Sequence, residues 1–288
     1  MKLTKYINEL KNANLLPKKI EASNWNGWNL VSCYNIEDDL NISENVAMGV
    51  DPDKEIAFYK ALTEFAERKI IKDNSNDIIK ITPRTDGFAA YPTNIKDSHL
   101  KVRANALNEA IERFLWATWW DNFNVSCKIE TDNNNKLFNN IVEEFNLENI
   151  FIIKVTASNY PTELTIIIAK IKNYGFVSGG AAGNSYEENR NRAFGELLRH
   201  LLVSKKFISS KSVANSFYEK RLQIFCSGEL NDLVYKRLQT NGNFQIKLPR
   251  LIQDNNIEHS FKDIVLVHRC LFEDQPEFIG GKLERFCI

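Results

Sequence analysis

The segment Ala61-Leu-Thr-Glu64-Phe-Ala-Glu67-Arg68 returns almost letter for letter as Ala106-Leu-Asn-Glu109-Ala-Ile-Glu112-Arg113. A weaker echo reads Arg192-Ala-Phe-Gly-Glu196-Leu-Leu-Arg199. All three lie in runs whose apolar residues recur at three- and four-residue spacing, which predicts a helix for each. Residues three and four apart share a helix face. Glu64 with Glu67, and Glu109 with Glu112, are therefore same-face carboxylate pairs, and Arg68 and Arg113 stand one turn above Glu64 and Glu109. Two carboxylates on one face repel unless a cation sits between them. Two readings stand open. In the plainer one, three amphipathic helices carry solvated charged faces with i,i+4 ion pairs. In the other, Mg²⁺, a hard cation that takes carboxylate and phosphate oxygens, is held by the glutamates while the planar fork of an adjacent Arg grips phosphate. The shared register, with the same small and apolar flanks, gives the second reading a weight that a single helix would not.

Composition narrows the classes. A chain of 288 residues, 43% hydrophobic, supports one large domain or two small ones with ample core. Lys plus Arg equals Asp plus Glu at 37 each, so no global charge draws the chain to nucleic acid or to a membrane surface. Five scattered cysteines (Cys33, Cys127, Cys226, Cys270 and Cys287), with no C-x-x-C, give neither a disulfide framework nor a zinc signature. His99, His200, His259 and His268 form no metal-ligand spacing. Cys33, Cys127, Cys226 and Cys270 sit in apolar contexts and read as core residues. Nothing beside Cys287 would lower its pKa, and no Ser/His/Asp or Cys/His constellation is readable, so no catalytic nucleophile is assigned. Without a long apolar run or an apolar N-terminal segment, a reduced cytoplasmic protein is expected.

Along the chain, a short amphipathic helix is expected over 2–16, then a turn at Trp25-Asn-Gly-Trp28 before a strand over 29–34. Asp51 is the expected N-cap of the first glutamate helix, with Pro52 at its first position and its end near 72. The stretch 82–92 is rich in turn and small residues. Asp97 or Ser98 caps the second helix, whose tail Phe114-Leu-Trp-Ala-Thr-Trp-Trp is apolar nearly all round and should be deeply buried. A strand over 125–129 and a helix over 137–145 follow. Branched residues make 150–157 and 164–171 buried neighbouring strands. The glycine-rich stretch 175–183 reads as a loop, or as a phosphate cradle feeding the third helix; it is not a P-loop, since no Gly-Lys-Ser/Thr follows. Ser185-x-x-Glu188 matches a capping box at that helix's start. Helices near 212–223 and 229–239, then 249–252, and a strand over 263–270 complete the chain. No linker forces a boundary, so a single α+β layered domain over 1–288 is expected, with helices and mostly antiparallel sheets.

Taken in order, these segments resemble the YcaO proteins over residues 49–201. The first helix resembles the family's S-x-x-x-E-x-x-E-R segment with Glu64, Glu67 and Arg68 in place, and Asp86-Gly-Phe-Ala-Ala90 resembles its S-[DS]-G-x-A-A turn. Asn105-x-x-x-Glu109-x-x-Glu112-Arg113 matches the second motif throughout, and Gly180-Ala-Ala leading to Arg192-x-x-x-Glu196 resembles the third. The resemblance implies helices and sheets enclosing ATP. It implies Mg²⁺ ligands or their supports at Glu64, Glu67, Glu109, Glu112 and Glu196. It places Glu64, Asn105, Arg113 and Arg192 toward the nucleotide or its phosphates, and Lys60 and Arg199, which stand where the family has other residues, are assigned there beside them. It further implies activation of a peptide-backbone amide by phosphorylation of its oxygen. Attack by a Cys, Ser or Thr side chain of the substrate then gives an azoline, and external nucleophiles give thioamides or amidines. Such chemistry needs chiefly positioning and charge neutralisation.

Three departures stand out. Lys60 occupies the family's Ser position one turn before the first glutamate, where it can pair with Glu64 at i,i+4. Arg199 stands where the third motif has Gln, as an added phosphate ligand or a disrupted site. The proline-rich C-terminus of many azoline-forming members is absent, the chain ending Phe286-Cys-Ile288. These departures keep open a non-catalytic scaffold subunit of a peptide-modifying complex. The length leaves no room for a separate peptide-binding domain, so a partner protein is expected to deliver a precursor peptide, in a homo- or hetero-oligomer.

Overall fold

The computed structural model describes residues 3–35, 46–73, 86–131, 136–210, 214, 216–278 and 282–286. The chain divides into two compact units: Met1–Thr82, Asp86–Ala110 and Leu251–Glu273 form the first, and Pro83–Thr85, Ile111–Arg250 and Asp274–Ile288 the second.

In the first unit, α1 (Leu3–Asn12) precedes the strands β1 (Lys19–Trp25), β2 (Trp28–Tyr34) and β3 (Val46–Asp51), then α2 (Lys54–Asp73). The β1–β2 hairpin turns at Asn26 and Gly27, both at positive φ (47° and 88°), the Asn-Gly pairing that two-residue hairpins favour. Trp25 and Trp28 face each other across it. β1 and β3 are strands that the sequence did not announce. β1 is polar and largely exposed (Lys-Ile-Glu-Ala-Ser-Asn-Trp), held by pairing to β2 rather than by an apolar pattern. A second sheet has the order β4 (Gly87–Pro92), β10 (Val265–Phe272), β9 (Leu251–Asn256), all antiparallel. The core of this unit gathers Tyr6, Leu10, Val31, Cys33, Ala61, Leu62, Phe65, Val265 and Val267.

Several expectations are corrected here. Asp53, not Asp51, caps α2: its Oδ1 accepts from the backbone N–H groups of Glu55 (2.8 Å) and Ile56 (3.1 Å). Asp51 ends β3, its Oδ1 accepting from Asp53 N at 2.9 Å, which places Pro52 before the helix. The small residues of 87–92 form strand β4 rather than a turn, because small side chains let a helix lie close. Residues 251–252 begin strand β9, not a helix, through pairing with β10. The polar run 74–77, Thr82–Thr85 and Cys287 lie outside the described residues.

The helix α3 (Ser98–Asp121) carries the unit boundary between Ala110 and Ile111. The second unit continues with β5 (Lys128–Thr131), α4 (Lys136–Glu144), β6 (Leu147–Thr156), β7 (Glu163–Ile171), β8 (Phe176–Gly183), α5 (Tyr186–Ser210), α6 (Phe217–Ser227) and α7 (Asn231–Gln239). Its sheet has the order β5-β6-β7-β8, antiparallel throughout. β6 and β7 are the neighbouring strands expected from their branched residues. β7 is buried along eight of its nine positions, as a central strand covered on both faces is. The tail of α3 is buried as expected, with Trp116 and Trp119 fully enclosed. Arg237 is enclosed too, donating to Trp119 O (2.8 Å) and lying over the Trp119 ring, and burial pulls its guanidinium down to about 10. α6 starts later than expected, at a complete capping box made by Ser216 and Glu219.

The glycine-rich stretch 175–183 is neither a loop nor a phosphate cradle. It is strand β8, buried at every position from Phe176 to Gly183. A methyl group on Gly179 would come 2.2 Å from Leu197 N and 2.3 Å from Ala193 O, so the glycine is what allows α5 to lie on the strand.

Candidate functional site

The three glutamate helices share more than a sequence register. Each follows a strand and packs back on it, and each of those strands (β3, β4 and β8) is the edge of its sheet. The leading glutamate of each repeated motif accepts a backbone N–H from that edge: Met48 N to Glu64 Oε2 (3.1 Å), Phe88 N to Glu109 Oε2 (2.8 Å) and Gly180 N to Glu196 Oε2 (2.8 Å). Three residues before each glutamate is a fully buried alanine: Ala61, Ala106 and Ala193. The strand residue preceding each donor is equally small (Ala47, Gly87 and Gly179). At Gly87 a methyl would lie 2.0 Å from Ala106 O, the same close approach seen at Gly179. The sequence repeat is thus the visible half of a repeated strand–helix unit. A small residue permits contact, and a carboxylate takes an edge N–H that has no strand neighbour among the described residues.

In the second unit the edge of β8 collects four of the predicted residues: Glu112, Arg192, Glu196 and Arg199. Gly180 N and Ala182 N, two positions apart and so on one side of the strand, donate to Glu196 and Glu112 (3.2 Å for the latter). Arg192 Nη1 donates to Ala182 O at 3.3 Å. Arg199 Nη2 reaches the other oxygen of Glu196 at 3.1 Å. It also lies 3.4 Å from His200 Nε2. His200 Nδ1 is 2.7 Å from Ser178 O; a carbonyl only accepts, so Nδ1 carries the hydrogen and Nε2 is left to accept from Arg199. Complete burial holds this imidazole neutral, its pKa pulled from 6.5 down to about 3, with the Arg199 charge adding to the effect. Ser178, His200, Arg199, Glu196 and Gly180 form a closed chain of contacts between strand and helix. Sequence reasoning named Glu196 and Arg199 but not His200, whose adjacency to Arg199 was the available signal.

In the first unit Glu64 is clamped likewise. Arg68 Nη2 donates to Glu64 Oε1 (2.5 Å) and its Nη1 to Val46 O (2.7 Å). Lys60 does not pair with Glu64. Its Nζ goes to Asp51 Oδ2 (2.7 Å) and Val50 O (3.3 Å), since Asp51 at the end of β3 lies beside it. Glu67 is half-buried on α2, Asn105 is exposed on α3, and Arg113, in the second unit, lies 5.8 Å from the Phe278 ring. Asp86, expected in a turn, is buried in an ion pair with Arg269. The four described cysteines are free and buried. The fold brings His268 and Cys270, two apart on one face of β10, beside Asp254 of β9, a juxtaposition that the spacing of the histidines alone does not show. His-x-Cys on a strand was the sequence signal for this.

The residues on the β8 edge fit a magnesium-nucleotide. Glu112 and Glu196 offer acceptor-only carboxylates, each oriented by a main-chain N–H; the Glu196 side chain retains 24% exposure, enough to meet a ligand from solvent. Oxygen donors suit a hard cation, and Arg192 and Arg199 suit phosphate.

No family model matches the sequence, and no curated protein matches it. Solved structures do match by fold. The structure of YcaO from Methanopyrus kandleri bound with AMPPCP and Mg²⁺ is similar at TM-score 0.58 and 11% identity, over 98% of this chain and 96% of that one. A chain of the E. coli microcin synthetase McbBCD complex is similar at TM-score 0.58 and 10% identity, over 89% and 88%. The same complex with pro-MccB17 bound gives TM-score 0.61 at 10% identity, with the same coverage. The α+β architecture of antiparallel sheets and helices described above is shared with these structures over nearly the whole length.

Proposed function

We propose that this chain, which has the YcaO fold, is an ATP- and Mg²⁺-dependent protein that activates a peptide-backbone amide. The observation that carries the reading is the β8 edge, where Glu112 and Glu196 are held by successive outward N–H groups beside Arg192 and Arg199. Glu112 and Glu196, with Glu64, Glu67 and Glu109, are assigned to Mg²⁺ or to the groups supporting it. Arg192, Arg199, Arg113, Asn105 and Lys60 are assigned to the nucleotide. ATP supplies the phosphoryl group that turns an amide oxygen into a leaving group, giving an azoline, thioamide or amidine according to the nucleophile. The protein's own residues orient carboxylates, offset phosphate charge and hold Arg199 through neutral His200. The likeness to a YcaO bound with AMPPCP and Mg²⁺ supports the cofactors, and the likeness to a complex with pro-MccB17 bound supports a precursor peptide and a partner protein. We assign the whole chain to one functional domain and place it in the cytoplasm, in keeping with its free cysteines.

One observation favours a second reading, a YcaO-like scaffold subunit. Arg68 and Arg199 already neutralise Glu64 and Glu196 from within their own helices. Calorimetric titration with ATP, with and without Mg²⁺, separates the two. Binding that requires Mg²⁺ and is lost in Glu109→Ala and Glu196→Ala supports the enzyme reading. Turnover with peptide and partner then establishes it, whereas a folded wild type that binds nothing even with its partner present establishes the scaffold.

A further inference from the structure

The β9–β10 ladder brings three different ligand types together in the first unit. Cys270 is directly opposite Asp254, and His268 is opposite Asn256. Because alternate strand residues share a face, all four side chains stand on one side of the sheet. The ligand atoms of Asp254, His268 and Cys270 lie within 4.8 Å of one another. Asp254 Oδ1 is 2.8 Å from His268 Nε2 and 3.8 Å from Cys270 Sγ. His268 and Cys270 are buried, while Asp254 sits on the exposed rim and gives an ion a way in.

The surroundings hold each ligand in a coordinating pose. His268 Nδ1 is 2.8 Å from Asn256 Oδ1, so the ring is turned to present Nε2 to the cluster. A metal-binding histidine is typically anchored through its second nitrogen in this way. Arg103 grips the carboxylate of Asp254 from the far side, its Nη2 on Oδ2 at 2.5 Å, and its Nε spans Oδ1 and Oδ2 at 2.9 and 3.0 Å. Oδ1 is thereby turned toward the imidazole and the thiol.

We infer that Asp254, His268 and Cys270 form a transition-metal site of zinc type, held by one carboxylate oxygen, one imidazole nitrogen and one thiolate, with a fourth position open to water. The thiolate and imidazole exclude Mg²⁺ as the natural occupant, since soft sulfur and nitrogen donors select zinc-type ions. Binding expels the Cys270 thiol proton to solvent, His268 meets the ion through a bare Nε2 with its hydrogen on Nδ1 toward Asn256 Oδ1, and the Asp254–His268 contact gives way to two bonds to the ion.

The test uses the full chain, freed of metal with a chelator and titrated with Co²⁺ in excess Mg²⁺, following the thiolate-to-Co²⁺ charge-transfer absorption. One equivalent of Co²⁺ should saturate the band, and Zn²⁺ should displace it. Cys270→Ser and His268→Ala should each abolish it, and Asn256→Ala should weaken binding about tenfold. Glu109→Ala should leave the band intact, and Cys270→Ser should leave ATP binding intact, so this site and the nucleotide reading fail independently. Should Cys270→Ser unfold the chain, Asp254→Asn on the rim replaces it and should weaken binding more than Asn256→Ala does. No band, or a band that survives both Cys270→Ser and His268→Ala, overturns the site and leaves the cluster as a hydrogen-bonded network.

Discussion

His200 couples the candidate site to pH. Its folded pKa of about 3 lies far below the unfolded value of 6.5, so between these limits the unfolded chain binds a proton that the folded chain refuses. Stability therefore increases with pH across that window and falls on acidification, by about 2 kcal/mol from this residue between pH 6.5 and 5. Urea unfolding at the two pH values should show that loss in the wild type, and His200→Gln should flatten it. A second comparison separates ligand from architecture at Glu196. Glu196→Gln keeps an oxygen to accept from Gly180 N, so it should unfold within about 1 kcal/mol of wild type while losing Mg²⁺-dependent nucleotide binding; Glu196→Ala should lose both. At this scale the sequence was legible where partners lie within one helix, as for Glu64 with Arg68. It was opaque where strand geometry decides. Lys60 had Glu64 one turn away, yet Asp51, nine positions back across the β3–α2 junction, is nearer.

The strand–helix pairing is the element on which the fold depends. Gly179→Ala would drive a methyl into the main chain of α5 and should cost about 3 kcal/mol or more, read as a lowered denaturant midpoint at unchanged slope. Ser216→Ala, which removes the cap of α6, should cost about 1 kcal/mol by the same measurement. Long helices were readable because one-sided burial imprints a period on them, and β6 and β7 because runs of branched residues mark buried strands. β8 was not, because the small residues that admit a packed helix are also those that mark loops. β1 was hidden for a different reason: a polar edge strand carries no apolar pattern to read.

For the molecule as a whole, nucleotide binding should appear as stability. ATP with Mg²⁺ at a hundred times its dissociation constant should stabilise the fold by about 2.7 kcal/mol, and ATP without Mg²⁺ by far less, measurable by denaturant unfolding. Likeness to the YcaO structures at 10–11% identity was legible in the sequence because the spacing of a few glutamates, arginines and small residues carries the repeated strand–helix geometry. No helix among the described residues is long and apolar enough to cross a membrane. The edge-capping role of Glu64, Glu109 and Glu196 has a consequence for how such sequences drift. A lineage that abandons nucleotide chemistry still needs an acceptor for those main-chain hydrogens, so selection for folding alone retains a side chain with an accepting oxygen, Glu or Gln, at the three positions. An acceptor at these positions reports the architecture. Retained chemistry is attested instead by the residues that leave the second carboxylate oxygen free or occupied, which at Glu64 and Glu196 are Arg68 and Arg199.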